Sequence, residues 1–408
     1  MKKTWIGLIL FFIFSNSFAQ SDSSKMTNYS FVLRDSPSQL FSMRQLDQNY
    51  ISAYRLLARQ LYSFTGNDLT SYLLQVGVQA LFLRPFTHEE AHRSILAAYN
   101  IGSISNPFTG EVNGVTDLTL KNLRDHNLPR FIRLHTAGLE SDYMLTRQLE
   151  LIGSFGQDDF KNYMVEYWLR KAAIMQYYVL GLFKYEPGET QETNELKRDI
   201  TGFDTYGAAR HLFRPAMDFY RYTKYADLTA EERKYINRLG FRSFLNLLNP
   251  LMIGKSNYRL NKNTNFNIGM GYSMSPFGDF IDENIWITHK SLNFGMYVRQ
   301  FQNKVNWFNG FGISLIDFHP FNRFNRLSTT LAGHFWQQPV NFDFNTSKYF
   351  TGGAFDADLR YLFLKKRIGV LHGVSIDLGF IYKTKGFLPE ETRLDGHYGF
   401  RFGTTIQM

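Results

Sequence analysis

The chain has 408 residues, 45 Lys and Arg against 36 Asp and Glu, a formal net charge of +9, and no cysteine. That length allows two domains or one large one. The lack of cysteine excludes a disulfide-stapled scaffold, and no stretch of 18 or more uncharged apolar residues offers a helical membrane span. Aromatics are abundant, with 39 Phe, 24 Tyr and 5 Trp.

The first 19 residues read as a signal peptide: Lys2 and Lys3, an apolar run from Trp5 to Phe14, and Ser17-Phe18-Ala19 as a cleavage site. In an exported, disulfide-free protein the setting is the bacterial cell envelope, outer membrane or periplasm. The positive charge there points to anionic lipid headgroups rather than nucleic acid, or to a basic surface without a partner. Residues 20–37 are polar and Ser-rich and read as a flexible leader.

From 38 to 250 the apolar spacing is helical. Leu40, Met43, Leu46, Tyr50, Tyr54, Leu57 and Leu61 form one stripe. A second apolar segment runs from Leu73 to Phe86 and is closed by Pro85. A helix follows over Thr87–Tyr99, then a Gly/Asn/Pro-rich loop over 100–117 and a short helix over Leu118–Leu123. Helices are also expected from Pro129 to Ile152, over Asp158–Tyr185, and from the Thr229-Ala-Glu-Glu232 capping box towards Leu248.

After Tyr258 the period becomes two. Phe266, Ile268, Met270, Tyr272 and Met274 alternate with small or polar residues, as do Val374, Ile376, Leu378, Phe380 and Tyr382. Segments of this kind make roughly eight strands over 258–408. The fold class is therefore α+β: a helical domain, then an antiparallel sheet or barrel. An outer-membrane barrel would turn the apolar face to lipid; a soluble sheet would pack it on the helices. On the polar faces, Asp377 and Arg401 are expected to make salt bridges.

The chemistry lies in His88-Glu89-Glu90-Ala91-His92. Histidines four apart share a helix face, so both imidazoles reach one zinc ion, and the adjacent glutamate can take a proton from its water. The competing reading makes Thr87 an N-cap and Glu90 its capping-box partner, leaving His88 and His92 as ordinary surface residues. His135-Thr-Ala-Gly-Leu-Glu140-Ser-Asp142-Tyr143, on the helix after Pro129, offers further donors.

The pattern resembles the HExxH motif of the zincin metallopeptidases, and the second segment is similar to the gluzincin arrangement. The resemblance covers about 60 residues. It implies zinc held by His88, His92 and Glu140, with His135 as the other choice of third ligand, and Asp142 orienting one histidine. It implies Glu89 as general base and a peptide or protein substrate. Tyr143, His211 or Arg210 are candidates for stabilising the oxyanion. The Asp204-Thr-Tyr206…Arg210-His211 stretch has polar groups suited to substrate binding, although such spacing is more often structural. The competing function is a non-catalytic outer-membrane barrel with a helical plug or ligand-binding domain.

Overall fold

The computed structural model describes residues 26–408 except 39, 107, 109, 189–191, 322–325 and 368. The predicted signal peptide lies outside the described residues. Among the described residues, eight helices precede the main run of strands: α1 Met43–Thr65, α2 Asp68–Val78, α3 Arg84–Ala98, α4 Asp117–His126, α5 Leu128–Ser154, α6 Met164–Leu182, α7 Asp204–Phe213 and α8 Ala230–Arg242. Among the described residues, no helix is long and apolar enough to cross a membrane.

α5 is the axis of the helical part. Every residue from Phe131 to Thr146 is buried, so it is surrounded on all sides. Its polar residues must therefore be paired internally. Arg133 and Glu140, both fully buried, meet in a two-pronged ion pair at 2.6 and 3.1 Å. The Thr229 capping box forms as expected and starts α8.

Pro85 does not close a segment. A π-helical turn, Gln79–Leu83, joins α2 to α3 and places Pro85 in the first turn of α3, where a missing N–H costs little. This also removes the capping box expected at Thr87. The helix already runs through that residue, whose hydroxyl donates back to the carbonyls of Leu83 and Arg84. Glu90 instead pairs with Arg93 at 3.2 Å.

The strands are β1 Asn28–Ser36, a small hairpin of β2 Ile104–Asn106 and β3 Glu111–Asn113, then β4 Tyr258–Asn261, β5 Thr264–Ser275, β6 Gly278–His289, β7 Leu292–Gln302, β8 Trp307–Phe318, β9 Leu327–Pro339, β10 Tyr349–Leu364, β11 Gly373–Lys383 and β12 His397–Gln407. All but the small hairpin form one antiparallel, barrel-like sheet of ten strands in the order β1-β12-β11-β10-β9-β8-β7-β6-β5-β4. The eight strands expected from alternation are β5–β12. The two additions are its edges.

The leader is thus corrected: residues 28–36 form a strand paired along β12, with Tyr29 buried beneath Arg55. Its side chains gain their partners from residues far along the chain, which local composition does not reveal. At one end of the sheet Thr27 and Met408 exchange backbone hydrogen bonds of 2.8 and 3.0 Å.

The sheet turns its polar face to the helices. Tyr143 donates to Asp282 at 2.6 Å and Asn267 to Ser154 at 2.8 Å, whereas at the β5–β6 end α8 reaches the other face, where Arg238 and Arg242 meet Asp279 at 2.6 and 2.7 Å. On the polar face Arg360 pairs with Asp377, and Arg401 with Asp356 and Asp358, as expected for Asp377 and Arg401. The apolar face points outward and is bare over most of its extent; at the β5–β6 end the helices cover it and bury Tyr272 and Met274. Ile268 is 51% exposed, Phe311 54%, Leu378 52% and Phe400 57%. A soluble sheet packed on helices has the reverse arrangement.

The turns between β5 and β6, β7 and β8, β9 and β10, and β11 and β12 share one end of the sheet. Phe277, Phe342, Phe344, Phe387 and Leu394 from those turns join Ile132, Tyr206, Ala209 and Tyr235 of the helices in one apolar core. The helical part is therefore fixed to that end, by a core at the turns, and along the inner face by hydrogen bonds and the Arg44–Asp356 ion pair at 2.6 Å.

Candidate metal centre

Three helices build the site. His88 and His92 lie on consecutive turns of α3, with ring centroids 5.0 Å apart. Their Nε2 atoms converge on one carboxylate oxygen, Asp204 Oδ2 on the first turn of α7, at 3.0 and 3.5 Å. One donor atom from each of these residues lies within 4.8 Å of the other two. All three are buried.

The opposite side of each imidazole is also fixed. His88 Nδ1 lies 3.0 Å from Asp142 Oδ2, and His92 Nδ1 donates to the Leu134 carbonyl at 2.6 Å, both acceptors belonging to α5. This sets the tautomer that leaves Nε2 free to accept a cation. Asp142 is held in turn by Arg170 at 2.7 Å, which also reaches Thr87 Oγ1 at 2.7 Å and Glu166 at 2.8 Å. Tyr177 stacks on His88 at 4.9 Å. Gly138 is what lets α3 come this close: a Cβ there would stand 2.3 Å from His88 Nε2.

Charge is concentrated here. Burial would lower the His88 pKa, but Asp142 and Asp204 on either side raise it well above the usual imidazole value. Burial would raise Asp204, but His92 and His88 hold it well below the ordinary carboxylate range. In the absence of a cation, protons shared among these groups balance the carboxylates. A divalent ion at the same centre would do so instead, and two imidazole nitrogens with a carboxylate oxygen are a donor set of the kind zinc takes. Glu89 is buried beside them, and burial pushes its carboxyl up to about 7 against the pull of His88 and His92. It reaches towards the turn between β2 and β3, at Gly110.

The remaining predicted residues lie elsewhere. Glu140 is committed to Arg133 and accepts the Glu390 N–H at 2.8 Å. Glu140 and Asp142, two apart, project to different sides of α5, so only Asp142 faces α3. Tyr143 faces the sheet through Asp282. His211 donates from Nδ1 to the Gly207 carbonyl at 2.8 Å and stacks on His135 at 5.5 Å, away from the Nε2 centre. Burial lowers His135 to about 3 and His211 to about 4, holding both neutral. Arg210 lies over Tyr220 at 4.7 Å. Asp204 was visible only as part of a polar stretch; it follows His92 by 112 residues, and no spacing rule links them.

No model of a known protein family matches this chain, and no curated protein matches it. A solved structure with some similarity is that of Acinetobacter baumannii OccAB3, at 12% identity and a TM-score of 0.27, over 37% of this chain and 46% of that one. This chain therefore spans less than half of that protein's length. At this level the likeness defines neither fold nor function.

Proposed function

We propose that the protein is a bacterial outer-membrane protein whose barrel-like sheet faces lipid and whose helical domain plugs the sheet's polar side. One observation carries this reading: most of the apolar sheet face is bare while the polar face is paired with the helices. Exposed apolar surface on this scale is costly in water and costs nothing against acyl chains. The test is extraction of membranes from expressing cells. Release only by detergent, with heat-modifiable gel mobility, is the expected result. Release by high salt alone overturns the reading.

A second reading, metal-dependent hydrolysis of peptide bonds, is favoured by the convergence of His88, His92 and Asp204 with Glu89 beside them. His88, His92 and Asp204 would hold zinc with a position open for water, and zinc would lower the pKa of that water. Glu89 would take its proton and pass it to the leaving nitrogen. Metal analysis of purified protein tests this: stoichiometric zinc in the wild type and none in His88→Ala. Glu89→Gln should keep zinc and lose peptide hydrolysis. Zinc without any hydrolysis leaves the centre as a structural clamp tying α3, α5 and α7 together.

A further inference from the structure

The two ends of the sheet differ in charge. At the end where Thr27 pairs with Met408, the strands are joined across residues 262–263, 290–291, 319–326 and 365–372. These links contain no Asp or Glu. They carry Lys262, Lys290, Arg326, Lys365, Lys366 and Arg367, all exposed, and no salt bridge to these side chains is found among the described residues. At the opposite end the links 276–277, 303–306, 340–348 and 384–396 balance Asp343, Glu390, Glu391 and Asp395 against Lys304, Lys348, Lys385 and Arg393.

Exposed tyrosine and tryptophan of the outer face show the complementary bias, with Tyr361 near the basic end against four at the other. Trp307, Tyr349, Tyr382 and Tyr398, all exposed on the outer face, sit at the balanced end. Tyrosine and tryptophan with one apolar and one wet side favour a membrane–water interface. Tyr349 at the start of β10 and Lys365 just past its end are sixteen residues apart. At a rise of about 3.3 Å per residue and a tilt of about 40°, that separation is about 40 Å along the membrane normal, the thickness of a bilayer with its headgroup layers.

We propose that the basic end of the sheet binds the phosphate groups of anionic lipid headgroups, with the outer face in the acyl layer and the Trp307/Tyr349/Tyr382/Tyr398 end at the opposite interface. This rests on the membrane reading above. The occupant is a lipid because the cations border a bare apolar band, so a ligand that satisfies both has a phosphate and acyl chains. A cation near an anionic leaflet favours it by about fivefold, and several act together.

The test is lipid selectivity of the full chain reconstituted in vesicles of phosphatidylcholine, using spin-labelled phosphatidylglycerol and spin-labelled phosphatidylcholine as probes. Wild type should immobilise phosphatidylglycerol at least fivefold more than phosphatidylcholine, with the excess shrinking as salt rises. A variant combining Lys290→Gln, Lys365→Gln, Lys366→Gln and Arg367→Gln should lose that excess while keeping the bound phosphatidylcholine. These side chains lie on exposed turns, so the variant keeps the fold; retained phosphatidylcholine confirms it. Equal immobilisation of both lipids by wild type, or an excess undiminished in the variant, overturns the proposal. An excess abolished by inorganic phosphate but not by chloride of equal ionic strength reassigns the cations to free phosphate and also overturns it. Immobilisation of neither lipid overturns the membrane reading itself.

Discussion

Leu378→Arg separates a lipid-facing sheet from a water-facing one. Leu378 stands at the middle of β11, 52% exposed on the outer face, opposite Leu359 on β10 and Phe402 on β12. In a bilayer that position is near the midplane, where arginine costs about 2–4 kcal/mol, roughly a 30- to 700-fold loss in the folding equilibrium. In water the same change would replace an exposed leucine by a hydrophilic residue, an effect within about 0.5 kcal/mol. Tyr382→Arg, four residues along the same face at the strand end, is the depth control and should cost no more than about 1 kcal/mol near the interface. Urea unfolding of both variants in phospholipid vesicles measures the difference. Equal costs at 378 and 382, or a wild type that unfolds reversibly as a monomer with neither lipid nor detergent, would refute the reasoning.

Asp204→Ala should abolish stoichiometric metal, whereas Glu140→Gln should retain it and instead destabilise the fold by about 3–5 kcal/mol, because Arg133 is left buried without its carboxylate. Metal analysis and chemical denaturation of the two variants read both effects, and metal loss on changing Glu140 would restore that residue to the centre. Asp142→Asn leaves the three donors in place but weakens the restraint on His88, so metal affinity should fall about 10- to 100-fold in a chelator competition; an unchanged affinity shows that Asp142 does not orient the ring. Burial pushes Glu390 up to about 7 against the pull of Arg44 and Arg147. Its folded pKa exceeds the unfolded value of about 4.3, so this contribution to stability is complete below that value and is lost as pH rises through about 7. Stability should decline across that window and Glu390→Gln should flatten the decline; an identical slope in the variant assigns it to another group.

The candidate site was half legible. His88 and His92 were fixed by a four-residue spacing on one helix, and Asp142 as the orienting carboxylate follows from its place on α5. The third donor was not legible, because Glu140 and Asp204 are equally acidic on paper. Arg133, seven residues before Glu140 on the same buried helix, claims Glu140, and the docking of α7 brings Asp204 to the histidines. The rival capping box failed for a similar reason: Thr87 lies inside a helix that a π-turn carries through Pro85.

The sequence by itself determined the change from helical to strand periodicity near residue 258, the eight strands β5–β12 and the placement of Asp377 and Arg401 on the polar side of their strands, because side-chain alternation is a local property of an extended chain. It also determined the spacing of the two histidines. Only the tertiary structure decided which way the strands face, since an alternating pattern reads the same with lipid, water or helices against its apolar side. It likewise decided that residues 28–36 join the sheet beside β12 and that Asp204 meets His88 and His92, because those partners are more than a hundred residues away and are brought together only by packing around α5.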